Sequence, residues 1–112
     1  MRCQPFNPYP GYVYAFRVIS GSYEDRAPTK IGFCHTKDGH DKDDVSYKRL
    51  ADIQRHHFEE LYRPFCSDEI FDANCVEYEI HCKYEKYRIK GEWFNLTLRQ
   101  LKNIQKYLKQ KE

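Results

Sequence analysis

The stretch YRIKGEWFNLT, residues 87–97, decides how this chain is read. It sets Tyr87, Trp93 and Phe94 among Arg88, Lys90 and Glu92, with Gly91 at the pivot, and it spends the only tryptophan of the chain. The glycine permits a turn, and the aromatics supply burial that a small sheet otherwise lacks. The segment therefore reads as a loop between two helices.

Both flanks support that reading. Downstream, Thr97 and Gln100 form a capping box, and Leu96 with Leu101 a hydrophobic staple around it. Leu98, Leu101, Ile104 and Leu108 then give the buried stripe of a helix over 97–110. Upstream, Val76, Ile80, Tyr84 and Tyr87 form the stripe of another helix, which Asp72 can cap.

Further back, Leu50, Ile53, His57 and Leu61 fall on one side of a helix from about residue 46, with Asp44 or Ser46 as its cap. Two strands precede it, YVYAFRVI (12–19) and TKIGFC (29–34), joined by a long hairpin loop. The first is reached through the Pro/Gly stretch of residues 5–11, and HTKDGHDKDD (35–44) is a polar, acidic loop. RPFCSDEIF (63–71) reads as a third strand. The order β-β-α-β-α-α predicts an α+β fold, a small central antiparallel sheet of about three strands flanked by helices. The 112 residues form a single domain, 1–112, with a core over about 11–97 and a basic C-terminal helix at 97–110.

Composition narrows the class. The chain is 40% hydrophobic, 32% charged and 16% aromatic, with apolar runs too short to span a bilayer, so no membrane partner is expected. MRCQPFNPYPG at the N-terminus contains no apolar signal segment, which predicts an intracellular protein, in cytoplasm or nucleus and not secreted. The five cysteines, Cys3, Cys34, Cys66, Cys75 and Cys82, form no CxxC and read as small buried hydrophobes of a reducing compartment. A zinc set drawn from Cys34, His35, His40, Cys75, His81 and Cys82 matches no closed spacing, so no zinc is expected. Residues 83–112 carry nine Lys/Arg against three acids, a balance of +6 in a chain of net +2, which leaves the first 82 residues at −4. Such an end-loaded field suits a polyanion, although a solvated basic helix has the same composition.

Four positions can carry chemistry, each beside a plainer alternative. Tyr12 and Tyr14 are two apart on the first strand and face one side, as core packing would also have them. Arg49 falls in the first turn of its expected helix, where a cation opposes the dipole unless an anion arrives; a solvated arginine is the alternative. Glu77 lies at the edge of an apolar stripe and can hold a hard cation or an ion pair. His81, one turn on, is a ligand or a hydrogen-bonded structural histidine.

In order, GYVYAF (11–16), TKIG (29–32), YKRLADIQ (47–54) and VEYEIHCKY (76–84) followed by YRIKGEWFNL (87–96) resemble the GIY-YIG nuclease superfamily, in its phage- and virus-associated branch often labelled a DNA-binding domain. The resemblance implies a metal-dependent DNA endonuclease. Tyr14 would take the GIY tyrosine's place as general base or water positioner, Arg49 would steady the scissile phosphate, and Glu77 would hold Mg2+ or Mn2+. Lys30 and His81 would support catalysis, and Tyr12, Lys48, Arg88 and Lys90 would contact DNA. The chain departs from the pattern at Lys30, which replaces the YIG tyrosine, and at Tyr12, which replaces the GIY glycine. The loops before Lys30 and before Arg49 are also longer than the pattern. A general base at Tyr14 needs a nearby positive charge, the metal or Lys30, to lower a phenol pKa of about 10. Two other classes compete: a non-catalytic nucleic-acid-binding module with the same fold, and a protein-interaction module. A homodimer or a protein partner would then supply specificity.

Overall fold

The computed structural model describes residues 7–19, 25–39 and 41–112. Cys3, His40, the start of the expected Pro/Gly lead-in and most of the first hairpin loop lie outside these residues. The elements are β1 (Gly11–Val18), β2 (Ala27–His35), α1 (Lys42–Gln54), β3 (Leu61–Cys66), α2 (Ala73–Lys83), β4 (Arg88–Lys90), β5 (Trp93–Leu96) and α3 (Leu98–Lys111). The strands form one antiparallel sheet in the order β3-β1-β2-β5-β4.

Five strands replace the three or so that the sequence led us to expect. The difference is the segment 87–97, which is a β4–β5 hairpin and not a loop. Gly91 makes its turn at a φ of +54°, a conformation that a side chain would strain. The mixture of charge and aromatics has a direct cause across the ladder: Arg88 is paired with Phe94, and its guanidinium lies 4.8 Å from the centroid of that ring.

β1 is an interior strand, between β3 and β2, and is buried along its whole length. The two-residue period sorts it between two layers. Val13 and Ala15 pack with Phe94, Leu96 and the inner residues of α2 and α3, whereas Tyr12, Tyr14 and Phe16 pack with Cys34 and, from α1, Val45, Leu50 and Ile53. Arg17 is a buried cation whose donors reach Thr29 Oγ1 at 3.0 Å, the Leu96 carbonyl at 3.0 Å and the Asp25 carbonyl at 2.7 Å. Three oxygens in place of water make that burial tolerable and tie β1 to β2 and to the end of β5.

Helix α1 starts earlier than the periodicity suggested. Asp41 is its N-cap, accepting from the amides of Asp43 and Asp44. The polar run before Val45 had disguised a first turn as loop, and Arg49 is accordingly well inside the helix instead of in its first turn. Helix α1 also ends sooner, at Gln54. Its side chain takes the Leu61 amide at 2.7 Å and gives to the Glu59 carbonyl at 2.9 Å, which closes the connection to β3. His57 and Leu61 therefore do not extend the α1 stripe: His57 stacks on Trp93 at 4.8 Å, and Leu61 opens β3.

β3 stops at Cys66, short of the expected strand over 63–71; beyond it Ser67 bonds back to Val13 and Ile70 bridges to Gly11. Asp72 is the N-cap position of α2 but makes no side-chain cap bond, and Val76, Ile80 and Tyr84 enter the core. In α3 both halves of the Thr97–Gln100 capping box are formed, and Leu101, Ile104 and Leu108 are buried while Leu98 is exposed. Cys34, Cys66 and Cys82 are free thiols, but Cys75 is disulfide-bonded, contrary to the expectation of unpaired cysteines throughout. Among the described residues no helix is long and apolar enough to cross a membrane.

Candidate functional site

The site begins with a close approach in the β1–β2 ladder. Tyr14 is paired with Gly32, and a Cβ on Gly32 would lie 2.3 Å from the Tyr14 hydroxyl oxygen. Because Gly32 has no side chain, the phenol can lie across β2, stacked on Phe16 at 4.3 Å. Only 1% of Tyr14 is exposed.

Helix α1 brings Arg49 to that phenol. The helix is fixed on β3 by Arg63, which donates to Asp43 Oδ1 at 2.7 Å and Ser46 Oγ at 2.8 Å and lies over the Tyr47 ring. Arg49 is half-buried, and Tyr14 is the group that acts on its guanidinium most strongly. Burial pulls the Arg49 pKa down, but Tyr14, Cys34 and Asp38 outweigh it and the net direction is up. Tyr14 is pushed well above the usual phenol range by burial, which Arg49 only partly offsets. A protonated phenol beside a fixed cation can donate to a water or to an anion.

Glu77 arrives around an open strand edge. β5 pairs with β2 only over Ala27–Lys30, whereas β2 runs on to His35. At the first residue beyond the pairing, the Ile31 amide gives to the Glu92 carbonyl at 3.0 Å, and the Ile31 carbonyl accepts from His81 Nε2 at 2.8 Å. His81 thus docks α2 on the free edge, with its ring 5.0 Å from that of Phe94. Since a carbonyl only accepts, the proton is on Nε2. Burial lowers the His81 pKa, against the pull of that bond. One turn earlier on α2, Glu77 is within the field of Glu92 and Lys30.

The electrostatics of Glu77 follow from that neighbourhood. Burial first, and then the Glu92 carboxylate, push its pKa up to about 8, with Lys30 opposing. Lys30 is committed elsewhere, 2.6 Å from Glu92 Oε1. The cation acting on Tyr14 is therefore Arg49, and Lys30 is not among the groups that shift it.

Tyr14 links the other two: Arg49 and Glu77 both act on Tyr14 and on Cys34, whereas neither Arg49 nor Tyr14 is among the groups that shift Glu77. Lys30 stands at the edge of this group and His81 behind it. None of Tyr12, Lys48, Arg88 and Lys90 is among the groups shifting Tyr14 or Glu77. Tyr12 is in an acidic corner, its hydroxyl 3.5 Å from the Gly39 carbonyl and its pKa raised by burial and Glu69. Lys48 is exposed and 3.9 Å from Asp44, Arg88 is held by Glu85, and Lys90 is exposed on the edge strand. Two members of the site were missed from sequence. Cys34, two residues past Gly32 on the same face and pushed up to about 11 by burial, was legible from the strand period. Glu92 was not, because its partner Lys30 is 62 residues away.

Glu77 supplies hard carboxylate oxygens at a poorly solvated spot, a donor type that fits Mg2+ or Mn2+, while Glu92 is more exposed and bonded to Lys30. Among the described residues no group of three or more His, Cys, Asp or Glu side chains could hold a metal. A cation at Glu77 would draw its remaining ligands from water and from phosphate, as Mg2+ commonly does.

A family model described as the T5orf172 domain matches residues 11–109. No curated protein and no solved structure matches the chain.

Proposed function

The chain belongs to the T5orf172 domain family, a phage-associated family linked to nuclease-like proteins, and on that premise we propose that it is a metal-dependent DNA endonuclease of GIY-YIG type. What supports this reading is that Arg49 of α1 and Glu77 of α2 both act on the buried Tyr14 of β1.

The guanidinium of Arg49 has five donors in a fixed fork, enough to keep Tyr14 and still hold a non-bridging phosphate oxygen. Tyr14, protonated at neutral pH, orients the attacking water through its hydroxyl. Lowering its pKa far enough for a base role requires positive charge beyond Arg49. Glu77 is the residue that would hold Mg2+ or Mn2+, and the bound ion would neutralise the phosphate and its leaving oxygen. Lys30 restrains Glu92, which limits the repulsion that Glu77 feels. His81 positions α2.

The test is incubation with supercoiled plasmid and with branched DNA in Mg2+ or Mn2+. Wild type should cut, and EDTA or Glu77→Gln should slow cutting by about 10²-fold or more at unchanged DNA binding. Absence of cutting by wild type, or equal cutting by the variant, contradicts the proposal.

One observation favours a second reading. With a pKa of about 8, Glu77 is largely protonated at neutral pH in the metal-free protein. A neutral Glu77 leaves Arg49 facing phosphate as in a non-catalytic nucleic-acid-binding module. That module would bind DNA in a salt-dependent, chelator-insensitive way and would not cut it, whichever divalent ion is added.

A further inference from the structure

Helix α3 contains Arg99, Lys102, Lys106, Lys109 and Lys111 and no acidic residue between Leu98 and Lys111. The first four recur at helical spacing, all are exposed, and with Asn103 and Gln105 they line one shallow concavity. A helix whose outer face is merely solvated usually alternates the signs of its charges, with acids three or four residues from the bases. Arg99 also stands in the first turn, where the helix dipole disfavours a cation. Among the described residues none of the four is in an ion pair, whereas Lys30, Lys42, Lys48, Arg55, Arg63 and Arg88 each are.

The stripe lies behind the sheet. Leu101, Ile104 and Leu108 of α3 pack with Val13 and Ala15, and Tyr14 faces the other way with Phe16 and α1. The sheet and α3 thus stand between Tyr14 with α1 and these cations, in a body of 39 × 30 × 22 Å. Duplex DNA is stiff over about 150 base pairs, so one straight segment cannot lie on both faces.

We propose that the outer face of α3 is a second DNA-binding surface, taking the phosphate backbone of a duplex segment other than the one at Tyr14, so that the domain bridges two segments. The proposal rests on the reading of this protein as one that acts on DNA. The occupant follows from charge complementarity: the stripe spans about 15 Å of helix, and a duplex offers a negative charge about every 1.7 Å. Four cations on a helix that need not enter a groove make contacts that are blind to sequence.

The test uses the full chain and the combined substitutions Arg99→Gln, Lys102→Gln, Lys106→Gln and Lys109→Gln, which keep good helix formers at exposed positions. In EDTA, wild type should hold a labelled duplex on an immobilised duplex of different sequence. The variant should lose that capture by at least about tenfold, and the slope of log affinity against log salt should fall by about 3 to 4. Its rate of cutting bound DNA at low salt should be unchanged. Wild type that does not bridge, a variant that bridges as well, or capture of anionic vesicles or an acidic polypeptide in place of duplex overturns the proposal. Bridging without cutting leaves this second face standing and removes the endonuclease reading; cutting without bridging does the reverse.

Discussion

Gly32 lies directly across the β1–β2 ladder from Tyr14, and a single added carbon on it would come within 2.3 Å of the phenol oxygen. The glycine of TKIG is thus the recess in which the Tyr14 ring rests, and the ring cannot reach Arg49 in the observed manner without it. Gly32→Ala should cost about 1–3 kcal/mol, as overpacking of a filled core does, and should reduce cutting by more than the loss of folded protein explains. Thermal melts beside single-turnover cleavage check this; full activity in a folded Gly32→Ala protein would show that the phenol need not sit there.

Glu77 makes the metal-free protein sensitive to alkali. Its pKa is raised from an ordinary carboxylate value to about 8, so the folded state holds a proton that the unfolded state has released. Stability contributed by that proton is present below the unfolded pKa of about 4.3 and is lost as pH rises through the folded value. The melting temperature in EDTA should therefore drop between pH 5 and 8, and Glu77→Gln should flatten the drop. Adding Mn2+ at pH 8 should raise the melting temperature of wild type and leave that of the variant where it was.

Glu92→Gln should move the active site toward lower pH. The substitution removes the carboxylate that repels Glu77 and frees Lys30, which lowers the Glu77 pKa. Both changes act in one direction, so the acid limb of the cleavage profile should shift to lower pH. A limb that stays in place would separate Glu77 ionisation from catalysis.

His81 is a positioning residue, bonded to the Ile31 carbonyl at the open edge of β2. Removing the donor in His81→Ala should cost about 1–3 kcal/mol and slow cutting by loosening the α2 that bears Glu77, with the pH profile of the remaining activity unchanged. His81→Asn, which keeps a donor, should recover part of both. His81 is also held below the ordinary imidazole range by burial. It therefore contributes to acid unfolding, because the unfolded chain gains a proton near pH 6.5 that the folded state resists.

Local signals in the sequence located what local physics controls. The Thr97–Gln100 box, the α3 stripe and the facing pair Tyr12 and Tyr14 are each specified within a few residues. Elements set by distant partners were misjudged. The start of α1 is hidden in an acidic run whose helical character depends on Asp41 capping and on Arg63 gripping Asp43 from another strand. From local sequence β4 and β5 read as a loop, because their reason for being extended is the edge of β2, over 60 residues earlier. The three central site residues came from the ordered resemblance, while Glu92 and the engagement of Lys30 needed the fold. Likewise the positive C-terminal third was visible as a charge count, but its position behind the sheet depends on which face of β1 meets α3.

The most direct test of the central claim is the anomalous scattering of a crystal of the wild-type protein soaked in Mn2+ above pH 8. The account predicts a peak bonded to a Glu77 carboxylate oxygen, on the side facing Tyr14 and Arg49, and its loss in Glu77→Gln. A peak on another residue, or none at Glu77 in a protein that still cuts DNA, would contradict it.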